Sequence, residues 1–176
     1  METPPLPIPE SYWVIPGRFL AGQYPGAFDE ERVRRRLDAF LEAGIDTFIN
    51  LTRSDELPPY TTMLAEEADL HEKEVTALNF PIRDFSLPSR KEMKIILDAI
   101  DQSLNEGRNV YVHCWGGIGR TGTTVGCYLV RHGLTGEQAL AQIAKWWEDD
   151  PRRASFPRSP ETDEQAQFIL DWHELA

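Results

Sequence analysis

The run His113-Cys114-Trp115-Gly116-Gly117-Ile118-Gly119-Arg120-Thr121-Gly122 sets a thiol beside an imidazole, follows it with glycines and ends in a guanidinium and a hydroxyl. Each residue type suits one task. Gly116, Gly117 and Gly119 permit backbone angles that turn successive N–H groups to one side as an anion nest. A helix begins in this loop, so its N-terminal N–H groups and dipole favour the same anion. Arg120 matches two oxygens of a phosphate at once. A helix N-terminus and nearby cations favour thiolate over thiol, and the loop is expected to hold Cys114 as a nucleophile for in-line attack on bound phosphorus. The N–H groups of Trp115, Gly116, Gly117, Ile118 and Gly119, with the Arg120 side chain, are expected to hold the phosphate. His113 is expected to orient the loop through backbone hydrogen bonds and to support the thiolate. The Thr121 hydroxyl is expected to reach the sulfur and ease its departure. A structural glycine turn around a buried cysteine is the bland alternative, and it leaves Arg120 without a purpose.

His-Cys, five residues, then Arg and Thr resembles the signature loop of the protein tyrosine phosphatase superfamily. The chain length and the flanking elements are similar to its small dual-specificity branch, from about residue 11 onward. The resemblance implies a general acid on a separate loop before the signature strand. "NFPIRDFSLPS", residues 79–89, supplies Asp84 for that role, with Phe85 and Leu87 as a lid; Asp55 and Glu56 are the fallback carboxylates. The resemblance also implies a water-positioning glutamine in "RSPETDEQAQF", residues 158–168. Gln165 is the first match, and a shift of one turn would bring Glu161 or Gln167 there. Two departures bear on substrate. The loop holds no lysine, which counts against the phosphoinositide phosphatases of the superfamily. No long extra segment deepens the pocket, so phosphoserine and phosphothreonine are expected to enter as well as phosphotyrosine.

These residues need a scaffold. "YWVIPGRFLAGQYP" reads as two short strands about Pro16-Gly17. Residues 28–43 read as a helix with Val33, Leu37, Phe40 and Leu41 on its buried face. Residues 46–51 and 77–82 read as strands, and 60–74 as a helix with Met63, Leu64, Ala68 and His71 on one side. Ser89 and Glu92 form a capping box for a helix with Met93, Ile96, Leu97, Ile100 and Leu104 inward, ending at Gly107. "NVYVHC", 109–114, is the expected central strand. A helix from the glycine loop to about His132 follows, then one capped by Thr135 and Gln138. The last helix is expected from Ser159-Pro160, since proline suits a first turn. Strands alternating with helices give an α/β domain: a central, largely parallel sheet of four to five strands flanked by helices. Cys114 ends its strand, where ligands of such sheets bind.

The chain has 176 residues, 41% hydrophobic and 27% charged, which suits one globular domain over 11–176. Residues 1–10 form a proline-rich lead-in, expected to be extended on the surface. A net charge of -11 argues against nucleic acid or an anionic membrane as partner, and no run of about 18 apolar residues is present. The N-terminus lacks the basic and apolar regions of a signal peptide. Two cysteines, Cys114 and Cys127, suit a reducing, cytoplasmic setting. No zinc-ligand spacing occurs, and neither metal nor cofactor is expected. The expected partner is a phosphorylated protein or peptide, met by a monomer. A non-protein phosphate (an inositol phosphate or a nucleotide) is the alternative substrate. A phosphate-binding module without catalysis and a sulfur-transfer or arsenate-reducing enzyme are the rival functions. Cys127 is read as a core residue rather than as a partner trapping oxidised Cys114. Trp146 and Trp147 are read as packing. Arg152, Arg153 and Arg158 either steer a phosphorylated partner or sit in solvent.

Overall fold

Alternating burial along the strands builds two cores on one sheet. The computed structural model describes residues 2–174. β1 (Ser11–Ile15) and β2 (Phe19–Gly22) form a hairpin through the Pro16-Gly17 turn, where Gly17 takes φ 73°. β3 (Thr47–Asn50), β4 (Thr76–Asn79) and β5 (Val110–His113) complete a sheet of order β1-β2-β5-β3-β4. Only the β1–β2 pair is antiparallel. In β5, Val110 and Val112 face one core while Tyr111 faces the other, as the two-residue period of a strand dictates. β5 lies between β2 and β3 and is buried on both faces.

Helices α1 (Glu30–Glu42) and α2 (Thr61–Leu70) cover one face. Helices α3 (Arg90–Asn105), α4 (Gly119–Arg131), α5 (Gly136–Trp147) and α6 (Asp163–Leu170) cover the other. The inward stripe of α3 is Met93, Ile96, Leu97 and Ile100, all essentially inaccessible. Each such side chain contributes about 1.5–3 kcal/mol relative to exposure. Leu104 is only partly buried. The capping boxes at Ser89/Glu92 and Thr135/Gln138 both form.

Four boundaries differ from the sequence reading. α1 starts at Glu30 because the Asp29 side chain caps it through Arg32 N–H. α2 stops at Leu70: His71 closes it, and Glu72 takes φ 52°, outside any helix. Met63 is accordingly only half-buried, while Glu67 is buried and pairs with Arg34 at 2.7 Å. β4 ends at Asn79, before Pro81, which has no N–H for a ladder. α6 begins at Asp163, not at Ser159-Pro160, because Thr162 and Gln165 form the capping box that starts it. Residues 2, 3, 5, 6 and 9 of the lead-in are exposed, but the segment is also anchored. Ile8 is buried in the core under α1, and Pro4 O accepts a 2.9 Å hydrogen bond from Trp13 Nε1.

Candidate active site

β5 delivers His113 and Cys114 to its carboxyl end, and the chain then turns into α4 within five residues. Gly117 takes φ 74°, and a Cβ there would lie 2.2 Å from the carbonyl carbon of Gly22. Only glycine fits on both counts. The N-cap of α4 is Ile118, which has no side chain to cap the first turn, so the helix N-terminus is left open to an anion.

Four carbonyls of the loop are each met by a donor. Cys114 O faces His113 Nδ1 at 3.4 Å, Trp115 O accepts from Tyr24 N at 2.9 Å, Gly116 O from Arg152 Nη1 at 2.5 Å, and Ile118 O from Ser159 Oγ at 2.7 Å. In a trans peptide, the following N–H points opposite to the carbonyl. Turning these carbonyls outward therefore turns the N–H groups of Trp115, Gly116, Gly117 and Gly119 inward. Gly117 N–H accordingly donates to Cys114 Sγ at 3.3 Å. Among the described residues, Trp115, Gly116 and Ile118 N–H have no partner. The thiol is 3% exposed and lines a cleft of about 330 Å³ shared with Asp84, Arg152 and Glu161.

His113 is fully buried, and burial pushes its pKa down to about 3. The ring is neutral. Tyr60, kept protonated by its own burial, lies 2.6 Å from Nε2, so Nε2 accepts and Nδ1–H faces the Cys114 carbonyl. The ring next to Cys114 therefore carries no positive charge.

Arg120 is 2% exposed. Its Nη1 donates to Glu56 Oε2 at 2.8 Å and to Ile82 O at 2.9 Å. Burial works against its charge, but the Glu56 hydrogen bond and the fields of Cys114 and Asp84 outweigh it and raise the pKa. Nη2 lies 3.1 Å from Asp84 Oδ1 without hydrogen-bond geometry, and Nε and Nη2 are left as buried donors with no hydrogen-bond partner. Those two donors form one edge of the guanidinium, the edge that matches two phosphate oxygens.

Glu56 is thus committed to Arg120. Its other neighbour, Asp55, is exposed and pairs with Arg53. Asp84 sits in the cleft at 38% side-chain exposure and accepts Phe85 N–H at 3.0 Å. Thr121 Oγ1 is buried with no partner and makes no hydrogen bond to the sulfur, contrary to the sequence expectation; the sulfur's bond comes from Gly117 N–H.

The three alternatives in residues 158–168 separate cleanly. Gln165 is fully buried, and its Oε1 accepts from Glu161 N and Thr162 N as part of the α6 cap. Its Nε2 reaches Ser86 O on the acid loop at 3.5 Å. Gln167 pairs with Asp171 on the surface. Glu161 is the member that lines the cleft. Burial and then Asp84 raise its pKa, while Gly119 N–H, Arg120 and Arg152 pull the other way.

The arginine cluster divides as well. Arg152 is spent on Asp150 and Gly116 O and lies 5.3 Å above the Trp147 ring. Arg158 pairs with Asp163, and Arg153 is exposed. Trp146 stacks on Tyr12, and Trp147 Nε1 donates to Phe156 O at 2.7 Å. Cys127 is fully buried in the core, where burial drives its thiol pKa far up.

Known proteins resemble this chain. A family model described as PTP-SAK, "Swiss Army Knife protein, DSP-PTPase phosphatase domain", matches residues 9–169. Protein tyrosine phosphatase domain-containing protein 1 of Mus musculus is 31% identical over 146 residues, 78% of this chain and 18% of that protein. Dual specificity protein phosphatase CDC14B of Mus musculus is 30% identical over 136 residues, 74% of this chain and 26% of that protein. The match thus spans about a quarter or less of the length of these two curated relatives. The crystal structure of Tk-PTP in the active form superposes with a TM-score of 0.70 at 28% identity, covering 93% of this chain and 97% of that one.

Proposed function

Since the chain belongs to the DSP-PTPase family of phosphatase domains, we propose that it hydrolyses phosphotyrosine, and phosphoserine and phosphothreonine, in proteins through a phosphocysteine intermediate. The observation that carries this reading is the pairing of a buried sulfur taking Gly117 N–H with Arg120 Nε and Nη2, buried donors that lack a hydrogen-bond partner. The cleft thereby offers a nucleophile at the centre of an anion cradle.

In the first step, Cys114 Sγ attacks phosphorus and the bond from phosphorus to the ester oxygen breaks. That oxygen takes the proton of the Asp84 carboxyl as it leaves. In the second step, water attacks phosphorus and gives a proton to the Asp84 carboxylate. The sulfur–phosphorus bond breaks, returning the thiolate and releasing inorganic phosphate. Charge on the phosphoryl oxygens is held by the inward N–H groups and by Arg120 Nε and Nη2. Glu161, which lines the same cleft, is the group assigned to the attacking water, and Gln165 Nε2 meets Ser86 O on the acid loop at 3.5 Å. His113 Nδ1 faces the Cys114 carbonyl, and Thr121 keeps a buried hydroxyl with no partner.

Phosphate release from matched phosphotyrosine and phosphothreonine peptides, in metal-free buffer with Cys114→Ser as control, tests the proposal. Turnover of both peptides that vanishes in the control supports it. Turnover surviving in the control would refute the cysteine mechanism. Release only from an inositol phosphate or a nucleotide would refute the protein substrate.

A further inference from the structure

The cleft above Cys114 has an aromatic rim. Eight large hydrophobic side chains are exposed among the described residues, and three of them line this one cleft: Phe85 at 64%, Trp115 at 50% and Phe156 at 45%. They come from three separate segments: the acid loop, the signature loop and the stretch between α5 and α6. Exposure of a single apolar side chain needs no explanation, but convergence of three on one cleft does.

Phe85 adds a second observation. It is one of only two non-glycine residues of positive φ among those described, at 57°. A bulky residue in the left-handed region is strained, and such strain persists where the surroundings impose it and clusters at functional clefts. Here Phe85 N–H is held by Asp84 Oδ1, and Ser86 N–H closes a turn on Arg83 O at 3.0 Å. Phe156 is fixed too, because its carbonyl accepts from Trp147 Nε1.

The charge of the cleft is equally specific. Among the described residues, the one cation lining the cleft is Arg152, whose Nε and Nη2 are bound by Asp150 and whose Nη1 is bound by Gly116 O. The remaining charged groups in the cleft are the carboxylates of Asp84 and Glu161. A second phosphate, or an acidic side chain beside the reacting one, would meet two carboxylates and no free cation. An aromatic ring, or an apolar neighbour, would meet three rings.

Resting on the phosphatase reading above, we propose that Phe85, Trp115 and Phe156 form a specificity rim. It selects phosphotyrosine flanked by apolar residues over polyphosphorylated ligands and over acidic phosphopeptides. The phosphoryl group enters the loop, the phenyl ring stands between Phe85 and Trp115, and an apolar flanking side chain covers Phe156.

Steady-state rates test this with phenyl phosphate, two phosphotyrosine peptides (one with leucine and one with glutamate on either side), and inositol hexakisphosphate. The wild-type KM is expected to be about tenfold lower for the leucine peptide than for the glutamate peptide, with little release from inositol hexakisphosphate. Phe156→Ala is expected to raise KM for the leucine peptide about five- to tenfold and to leave kcat on phenyl phosphate unchanged, the scale of one aromatic contact. Phe156→Leu is expected to restore most of it. Equal KM for the two peptides, preference for inositol hexakisphosphate, or an unaltered Phe156→Ala enzyme would overturn the rim while phenyl phosphate is still hydrolysed. No release from phenyl phosphate would overturn the phosphatase reading and the rim with it.

Discussion

Glu56 Oε2 accepts a 2.8 Å hydrogen bond from Arg120 Nη1, and the two residues lie 64 positions apart in the chain. The guanidinium is 1% exposed and the carboxylate 13%. Glu56 is itself tied to Arg53 N–H. This pairing engages Nη1 and leaves Nε and Nη2 without a hydrogen-bond partner, and it offsets a charge that burial would otherwise penalise.

Removing Glu56 should therefore act on catalysis and on stability together. Glu56→Ala is expected to lower turnover about 10²-fold on every substrate, the scale of a small misplacement of a catalytic group. Breaking a buried pair on one side costs about 3–5 kcal/mol, so the melting temperature should fall as well. Glu56→Gln keeps an acceptor oxygen and should retain most of both. Thermal unfolding and kcat on the same three proteins check this; a fully active Glu56→Ala would mean that Ile82 O alone positions Arg120.

Asp84 Oδ1 stands 3.1 Å from Arg120 Nη2, on the guanidinium edge proposed to take phosphate. Asp84→Asn is expected to slow turnover of phosphopeptides about 10²- to 10⁴-fold, as for loss of a general acid. The loss should be smaller with p-nitrophenyl phosphate, whose leaving group needs no proton. Inorganic phosphate should inhibit the variant more strongly, because a competing carboxylate charge is gone. Equal losses on both substrates would assign Asp84 to binding instead of proton transfer.

His113 is held neutral until the pH falls to about 3, whereas its ordinary value is 6.5. Between those values the unfolded chain binds a proton that the native state refuses. The unfolded state binds more protons there, so this contribution to stability is present above the ordinary value and is lost as the pH falls towards 3. An imidazole NMR titration should show a neutral ring across that window, and His113→Asn should show a flatter fall of melting temperature with acid. A ring that titrates near 6.5 would contradict the buried tautomer.

Glu161 shows the opposite sign. Burial and Asp84 raise its pKa, so the native state holds this proton to higher pH than the unfolded chain, and stability is lost as the pH rises through its native value. Once ionised, the carboxylate also opposes a phosphate dianion in the loop. Glu161→Gln should therefore be the more stable protein at neutral pH, with a KM that rises less with pH than in wild type. Superimposable KM–pH profiles would remove Glu161 from the substrate's surroundings.

The buried thiol, the glycine loop that follows it and the parallel sheet were legible because each is written locally. Spacing of Cys114, the glycines and Arg120 lies within one short run, and the stripes of α1 and α3 repeat at helical period. What holds the loop in shape was not legible. Tyr24, Arg152 and Ser159 reach its carbonyls from distant segments, and no local pattern marks a residue as a donor to a far backbone. Glu56 stood in view only as a fallback acid, since its pairing with Arg120 depends on how the segment between β3 and α2 folds back. The start of α6 was legible and missed: Thr162 followed three residues later by Gln165 is a capping-box pattern, and the Ser159-Pro160 pair drew attention from it. Thr121 was expected at the sulfur from adjacency to Arg120 alone, but adjacent residues of a helix point in different directions.

In the proposed mechanism Cys114 carries the phosphoryl group between the two steps. Rapid acid quenching during turnover of a phosphotyrosine peptide, followed by mass spectrometry of the peptide containing Cys114, tests it directly. A phosphoryl adduct on Cys114 is expected, accumulating further when the second step is slowed, and absent from Cys114→Ser along with turnover. Sustained phosphate release with no adduct, or with Cys114 replaced by serine, would contradict the account.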